Sequence, residues 1–379
     1  MTLLRALVLA FCLQQGHVAA ESKIMGPEEA RFAPGWDSEE APIESNLYGR
    51  FVLGPDGALW AAIAETKGVL LYRRGAKGVW AVEERPYVPA RAGRRDFGWA
   101  TLVFGKDRRP RILAVSRDGR LAYFWKEGTS WRTSWIEGGA YGQSPALFVH
   151  GLEVHVIFAG TRSPTLWHAV AADARPSDWK VNAVDKARLS ISFESASMDA
   201  RGRIHAAYIA SHGDPRSPDE TRHAVWSGAS WKVTTIPSPP DFLAGPRIVV
   251  GPRNAVGVLW TSTILHFLRL AAAGDLARPQ SLGFGGGAAL EVDSAGNVWL
   301  GYHRSDSGEL GVGIRRGAKP WTFTSAGNIG KGQPQGLQLV LDRKNRPHLF
   351  VRHERHSGGG VRHVFVRDAA ILQKAARGQ

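Results

Sequence analysis

The sequence predicts an all-β protein, a single seven-bladed β-propeller built from four-stranded antiparallel blades. Two landmarks alternate along the chain and support this prediction. One is a glycine-bearing turn followed by Trp, and the other is a turn rich in Asp, Gly and Asn followed by alternating apolar residues. In addition, no stretch of about 10 to 15 residues has the 3.6-residue periodicity that a helical repeat would need.

The glycine–tryptophan landmark recurs at nearly even spacing. Residues 73–82 (RRGAKGVWAV) resemble residues 315–324 (RRGAKPWTFT), and residues 128–136 (GTSWRTSWI) resemble residues 228–236 (GASWKVTTI). With residues 178–184 added, the landmark positions are Trp80, Trp131, Trp179, Trp231 and Trp321. Their intervals are 51, 48, 52 and 90 residues, the last corresponding to two units. This period is typical of a propeller blade.

The Asp–Gly landmark occurs in seven copies, which begin at residues 54, 105, 150, 198, 251, 292 and 341. Gly and Asn tolerate a positive φ and Asp can accept hydrogen bonds from its own turn, so each copy is expected to reverse the chain. The flanking runs are short and alternate in polarity, as strands do. The predicted blades are residues 48–93, 94–140, 141–188, 189–239, 240–286, 287–332 and 333–370.

The seventh unit lacks an outer strand of its own. Residues 35–43 (GWDSEEAPI) have the Trp-then-apolar pattern of such a strand, and we expect them to pair with the last blade and close the ring. Residues 21–370 are therefore predicted to form one propeller domain, with residues 371–379 as a C-terminal tail.

The repeat is similar to that of the BNR/Asp-box-like, sialidase-type propellers of secreted bacterial proteins. The residues that carry the resemblance are the D-x-x-G turn with its second strand, as in residues 292–302 (VDSAGNVWLGY), and the Gly-x-x-Trp hairpin, as in KEGTSW and SGASW. The resemblance spans nearly all of residues 35–368 and implies a propeller. The three arginines and the Tyr–Glu pair of a sialidase are not matched by motif, so sialidase activity is not implied.

The first 20 residues have the pattern of a secretory signal peptide. Arg5 precedes an apolar run from Ala6 to Leu13, and the segment ends at Val18-Ala19-Ala20. The protein is therefore expected to be secreted or periplasmic, and no later segment predicts a membrane span. Lipidation of Cys12 is the weaker alternative, because Phe11 occupies a position that needs a small residue.

Removing the first 20 of the 379 residues would leave 359 residues without a cysteine, because Cys12 is the one cysteine of the sequence. A mature chain of this composition has no disulfide, no thiolate metal site and no cysteine nucleophile. The expectation is that packing alone stabilises the fold.

The charge of the chain favours an anionic ligand. The sequence has 48 Lys and Arg against 34 Asp and Glu, a formal net charge of +14. Many of these cations fall in the strand-two-to-three loops and the interblade loops, which share one face of a propeller. Arginine pairs with carboxylate or sulfate and aromatic rings stack on sugars, whereas solvated loop charges are the alternative explanation. The candidate ligand-binding residues are Arg94, Arg95, Trp99, Tyr141, Arg188, His212, Arg304, Arg352 and His356.

The histidines fall into two groups. His155, His205 and His348 share a repeat position with Trp60 and Trp299, which predicts packed, buried imidazoles. His303 and His353 lie at the loop ends of second strands, where a functional role is more plausible.

Three functions are compatible with these patterns. The first is a binding module for an acidic glycan or a protein partner. The alternative is a carbohydrate-active enzyme, either a polysaccharide lyase or a glycosidase, with His303 or His353 as base, Tyr302 as proton donor and Arg304 or Arg352 as carboxylate clamp. Nucleic-acid binding ranks last because it conflicts with export.

No metal and no cofactor are expected. His353 and His356 lack an accompanying carboxylate cage, and the D-x-x-G turns are too short for a calcium loop.

Overall fold

The computed structural model describes residues 30–41, 49–65, 68–87, 97–136, 142–160, 163–173, 176–213, 219–239, 245–252, 255–261, 264–270, 278–330, 336–353, 360–367 and 371–372. Within these ranges 29 strands form seven antiparallel sheets. The prediction of a seven-bladed all-β propeller is confirmed.

Two short strands precede the first complete blade. They are β1 (Arg31–Phe32) and β2 (Trp36–Ala41). Blade one comprises β3 (Gly49–Leu53), β4 (Leu59–Glu65), β5 (Gly68–Arg74) and β6 (Trp80–Tyr87). Blade two comprises β7 (Phe97–Phe104), β8 (Pro110–Ser116), β9 (Leu121–Glu127) and β10 (Ser130–Ile136). Blade three comprises β11 (Gly142–His150), β12 (Glu153–Gly160), β13 (Thr165–Ala172) and β14 (Lys180–Lys186).

The remaining blades follow the same order. Blade four comprises β15 (Ser190–Met198), β16 (Ile204–Ser211), β17 (Glu220–Trp226) and β18 (Trp231–Ile236). Blade five comprises β19 (Arg247–Val250), β20 (Val256–Trp260), β21 (His266–Leu270) and β22 (Gln280–Ser281). Blade six comprises β23 (Gly286–Val292), β24 (Val298–Arg304), β25 (Glu309–Arg315) and β26 (Thr322–Asn328). Blade seven contains β27 (Gly336–Leu341), β28 (Pro347–His353) and β29 (Gly360–Val366).

The N-terminal strand β2 supplies the fourth strand of blade seven. It pairs antiparallel with β29, from Trp36 opposite Val366 to Ala41 opposite Val361. The ring closure expected of residues 35–43 is therefore present over the described strand Trp36–Ala41. The sequence did not predict β1, which pairs with β26 and adds a fifth strand to blade six.

In blades four, six and seven, an Asp at the first position stabilises the turn between the first and second strands. In Asp199, Oδ1 accepts the backbone N–H groups of Arg201 and Arg203, both at 2.9 Å. Equivalent pairs of bonds are made by Asp293 and Asp342. The carboxylate thus replaces backbone acceptors that the tight reversal leaves out of reach, as the repeat pattern predicted.

The fourth residue of this turn adopts a left-handed backbone. It is glycine in three blades, with φ near 80° at Gly57, Gly202 and Gly296. Asn345 (φ 57°) and Arg108 (φ 62°) occupy the equivalent position in blades seven and two. Asn tolerates this conformation, whereas an ordinary L-residue pays about 1–2 kcal/mol to adopt it.

The core lies between neighbouring blades. Second strands are almost wholly buried, as in β4, whereas outer strands such as β10 alternate between exposed and half-buried residues. Between blades seven and one, Phe51 stacks on Phe350 at 3.8 Å and Trp80 packs edge-on against both rings. Full burial of such side chains contributes about 1.5–3 kcal/mol each.

Glu39 of the closing strand joins blades seven and one. Its carboxylate accepts hydrogen bonds from Arg74 at 2.6 and 2.8 Å, from Trp80 at 3.0 Å and from His363 at 2.8 Å. Burial opposes its ionisation, but the bonds from Arg74 and His363 hold the pKa of Glu39 at about 2. The closing strand is therefore fixed by charge as well as by its backbone ladder.

We expect Glu39→Gln to lower the free energy of unfolding by about 2 kcal/mol, because it leaves Arg74 without its counterion and turns an amide N–H towards other donors. Asp37→Asn is the matched control, since Asp37 lies on the same strand but pairs with an exposed Arg367; its cost should stay below about 1 kcal/mol. Urea unfolding of the two variants measures both values. Equal losses would contradict the role given to Glu39.

Candidate functional site

The connections between strands define two faces of the ring. We call the side that carries the strand-one-to-two and strand-three-to-four turns the turn face; its strand-one-to-two turns include residues 54–58, 105–109 and 342–346. The opposite side carries the strand-two-to-three and interblade connections, including residues 117–120 and 305–308, and we call it the loop face. A channel of about 640 Å³ runs between them on the axis, lined by the inner strands.

Several polar and aromatic side chains line this channel. Arg50, Trp99, Arg247, Glu291 and Gln338 belong to inner strands of five different blades. The inner strands otherwise contribute mainly small and aliphatic residues to the wall, so these five give the channel its chemical character.

Four polar residues of the channel occupy equivalent positions in the repeat. Arg50, Ser195, Arg247 and Gln338 each lie four residues before the residue whose N–H closes the strand-one-to-two turn. They therefore form one layer of the channel, contributed by blades one, four, five and seven.

Two members of this layer bind the neighbouring blade. The Gln338 amide accepts the N–H of Phe51 at 3.0 Å and donates to the carbonyl of Gly49. The Ser195 hydroxyl bonds the backbone N–H and carbonyl of Ile248 at 3.2 and 3.3 Å. These two side chains seal the seams between inner strands.

The other two members, Arg50 and Arg247, are cationic. Among the residues that the structure describes, neither guanidinium has a carboxylate within 4 Å, and the Nε of Arg247 is buried without a hydrogen-bond partner. The Arg50 side chain is accessible from within the channel, and the channel wall surrounds it. This enclosure lowers the pKa of Arg50 from its usual value, an effect opposed by Glu291 and increased by Arg247.

Glu291 is the acidic member of the channel wall. Its Oε1 accepts the N–H of Val292 at 3.1 Å. Burial raises the pKa of Glu291, although that hydrogen bond and the Arg50 charge oppose the shift. Two guanidiniums thus share the channel with one carboxylate, and the described part of the channel wall is net positive.

The predicted catalytic residues Tyr302 and His303 are buried. Tyr302 is 3% exposed and donates to Glu309 at 2.9 Å, and burial raises its pKa. His303 is 0% exposed, and its Nε2 lies 2.9 Å from the carbonyl of Gly330, to which it must donate. Burial lowers the pKa of His303.

A general base has to reach the proton that it removes, so this arrangement gives the role no support. The base and proton-donor assignments remain predictions. The third candidate, His353, ends β28, and its side chain lies outside the described atoms.

The predicted ligand residues are scattered. Trp99 lines the channel, and Arg188 is exposed between β14 and β15. His212 lies 3.7 Å from Glu220, and Arg352 is half-buried in β28. Four further candidates fall outside the described residues: Arg94, Arg95, Tyr141 and His356.

Ion pairs neutralise two arginines of the loop face. Arg304 pairs with Asp306 at 3.1 Å and lies 5.4 Å from the ring centroid of Phe284. Arg222 donates to Asp185 at 2.8 Å and also contacts Glu220. The described part of the loop face is therefore more evenly charged than the sequence suggested.

Sequence reasoning missed Arg50, Arg247 and Glu291. They lie on inner strands, whereas the charged residues that the repeat pattern assigns to a binding face lie in loops. Counting back four residues from each Asp–Gly turn would have aligned both arginines in one layer of the ring.

The histidines that share the Trp60 and Trp299 position are buried, as expected, and each is hydrogen-bonded to a second histidine on the next strand. The pairs are His155–His168 at 3.0 Å, His205–His223 at 3.1 Å and His348–His363 at 2.8 Å. Burial lowers the pKa of His168 to about 3 and those of His223 and His363 to about 4. The second histidines on third strands were not recognised in the sequence.

We expect these pairs to make the protein less stable as the pH falls below about 6.5. An unfolded imidazole takes a proton near that pH, whereas the native ones resist it down to about 4. The unfolded state then binds more protons, and each such group lowers the free energy of unfolding by about 1.4 kcal/mol per pH unit until its native pKa is reached.

Thermal unfolding at pH 7, 6 and 5 and constant ionic strength measures this slope before most carboxylates begin to titrate. The His205→Leu/His223→Leu double variant should show a smaller slope than the wild type. A melting temperature that does not change with pH in this range would contradict the interpretation.

Neither a metal centre nor a membrane helix is found in the described ranges. No three His, Cys, Asp or Glu side chains there are grouped to hold a metal ion, and no helix is long and apolar enough to cross a bilayer.

The seven sheets and the axial channel define the protein as a β-propeller. No family model matches the chain, and no curated protein matches it in sequence. The chain is similar to the BP39L lectin from Burkholderia pseudomallei, with 16% identity, coverage of 86% of this chain and 96% of the lectin, and a TM-score of 0.60.

Two other solved structures have the same architecture. YCF48 bound to D1 peptide is 13% identical, with coverage of 90% of this chain and 98% of that chain and a TM-score of 0.55. An alpha-L-arabinanase from Penicillium chrysogenum, complexed with arabinobiose, is 13% identical, with 88% and 99% coverage and a TM-score of 0.52. At these identities the likeness is one of fold.

Proposed function

We propose that this protein is an exported binding propeller that takes an acidic glycan at the loop-face mouth of its channel. The observation that carries the proposal is the pair of channel guanidiniums, Arg50 and Arg247, which have no carboxylate within 4 Å in the described part of the structure. Cations that lack an internal counterion are available to an external one.

The chemistry of the channel suits a uronate or sulfate group. A guanidinium offers several N–H donors in a fixed plane and binds such groups through paired hydrogen bonds. Trp99, in the same wall, offers an apolar ring to a sugar face. The enclosing wall also reduces the screening by water that weakens exposed ion pairs.

Binding is favoured over catalysis by the burial of the candidate acid–base residues. Tyr302 and His303 are engaged inside the blade, and the charged residues that reach the channel suit the recognition of an anion. The lectin and the arabinanase show that this fold can serve either role, so the fold itself does not decide between them.

Export rests on the pattern of residues 1–20, which lie outside the described residues. A secreted or periplasmic location would bring the protein into contact with acidic polysaccharides. Membership of the BNR/Asp-box-like group likewise rests on the sequence pattern.

We expect Arg50→Gln and Arg247→Gln to weaken binding to polygalacturonate or chondroitin sulfate by about 10- to 100-fold each, the equivalent of one charge-assisted hydrogen bond. Glu291→Gln should strengthen binding, because it removes the carboxylate that repels the ligand. Calorimetric titration at low salt measures these constants, with neutral dextran as the ligand control.

Lys319→Gln is the matched control variant, since it removes one exposed cation from the turn face and should leave binding unchanged. Equal affinity for dextran, or unchanged binding in both arginine variants, would overturn the proposal. Accumulation of unsaturated sugar product during the titration would instead support the lyase alternative.

A further inference from the structure

The Asp residues of the strand-one-to-two turns are engaged within their own blades. Asp56 accepts from Ala58, Trp60 and Arg73, and Asp107 accepts from Arg109 and Arg111. Asp342 accepts from the backbone of Lys344 and Arg346 and from the Arg346 side chain. The carboxylates of the turns in blades seven, one and two are therefore bound mainly within their own blades, and of the tip cations only Arg109 contributes to lowering the pKa of one of them, Asp107.

Those tips are rich in exposed cations. Besides Arg108 and Arg343, the turns of blades two and seven expose Lys106, Arg109 and Lys344. Among the described residues none of these five side chains has a carboxylate within 4 Å. The turn face therefore carries a local excess of positive charge beside the axis of the ring.

Arg108 and Arg343 converge on one point. The Nη2 of Arg108 donates to the carbonyl of Pro55 at 2.9 Å, and Arg343 donates to the same oxygen from the other side. A Cβ placed on Gly57 would lie 3.3 Å from Cζ of Arg343, so that guanidinium lies directly over the turn of blade one. Two like charges are thus held together around a single exposed carbonyl.

The backbone of Arg108 is unexpected for a purely structural residue. It has φ 62° at a turn position that is glycine in three other blades and asparagine in a fourth. Glycine adopts this conformation without the steric cost that a side chain brings. A strained residue at an exposed tip indicates that the side chain is used for something that glycine cannot provide.

We propose that Arg108 and Arg343 form an oxyanion site on the turn face for a phosphate or sulfate group, with Lys106, Arg109 and Lys344 adding to its positive field. Each guanidinium donates one N–H to the carbonyl of Pro55, and its other N–H groups can donate to a ligand. A tetrahedral dianion can accept from forks on two separate turns, whereas a single carboxylate is satisfied by one fork. The bound anion also removes the repulsion between the two guanidiniums.

This site is separate from the channel layer that contains Arg50 and Arg247. It does not depend on the proposed glycan function, and it would take the charged ester of a larger molecule or the free ion by the same contacts. The competing explanation is that Arg108 only fastens blade two to blade one through Pro55.

The Arg108→Gly variant separates the two explanations because they predict opposite effects on stability. If Arg108 serves anion binding, glycine relieves the left-handed backbone, the melting temperature in phosphate-free buffer stays equal or rises, and affinity for phosphate falls at least tenfold. If Arg108 is a fastener, the melting temperature falls and phosphate affinity is unchanged.

The experiment titrates inorganic phosphate and sulfate into the full chain at low ionic strength, by calorimetry and by the ligand-induced rise in melting temperature. Chloride at matched ionic strength is the ion control. Arg343→Gln should lose phosphate binding to the same extent as Arg108→Gly, and Lys319→Gln, an equal change of charge elsewhere on the turn face, should retain it.

Three results would overturn the proposal: a wild-type response to phosphate no larger than to chloride, equal losses in the Lys319→Gln and Arg343→Gln variants, or a destabilised Arg108→Gly variant that still binds phosphate. Glycan binding through Arg50 and Arg247 would be untouched by any of them, so the two proposals fail independently.

Discussion

The pairing of β2 with β29 is the contact on which the rest of the ring depends. It supplies the missing outer strand of blade seven and, through Glu39, a carboxylate that binds Arg74 and Trp80 of blade one and His363 of blade seven. Without it the last sheet would have three strands, and β29 would be its unpaired outer strand. Because the Glu39 contacts hold blades seven and one side by side, they also keep the inner-strand residues of these blades in one layer around the channel.

The fold could be predicted from the sequence because the features that recur in each repeat are turn residues and tryptophans. Turn residues such as Asp199 and Gly202 act locally, so their type and spacing determine a reversal without knowledge of distant contacts. The outer-strand tryptophans mark the hairpins for the same reason. The extra strand β1 could not be predicted from the sequence because two residues are too few to show a strand periodicity.

The site was harder to predict, for a physical reason. Whether an inner-strand side chain reaches the channel depends on how its blade packs against both neighbouring blades. The residue pattern within one blade does not determine that packing. Gln338 and Arg50 occupy the same layer, yet Gln338 bonds the neighbouring blade, whereas no carboxylate of the described residues lies within 4 Å of Arg50. His303 lies next to a polar loop in sequence but is covered by residue 330 of the following connection.

The closing strand also has a consequence for how the ring is assembled. The contact between Glu39 and His363 joins residues 324 apart in sequence, and contacts of such separation form late because the intervening chain must first be ordered. The four principal strands of each of blades one to six come from neighbouring segments of the chain, although β1 joins blade six from the N-terminus. Strand β2 has no sheet to join until blade seven has formed, so we expect ring closure to be a late step of folding.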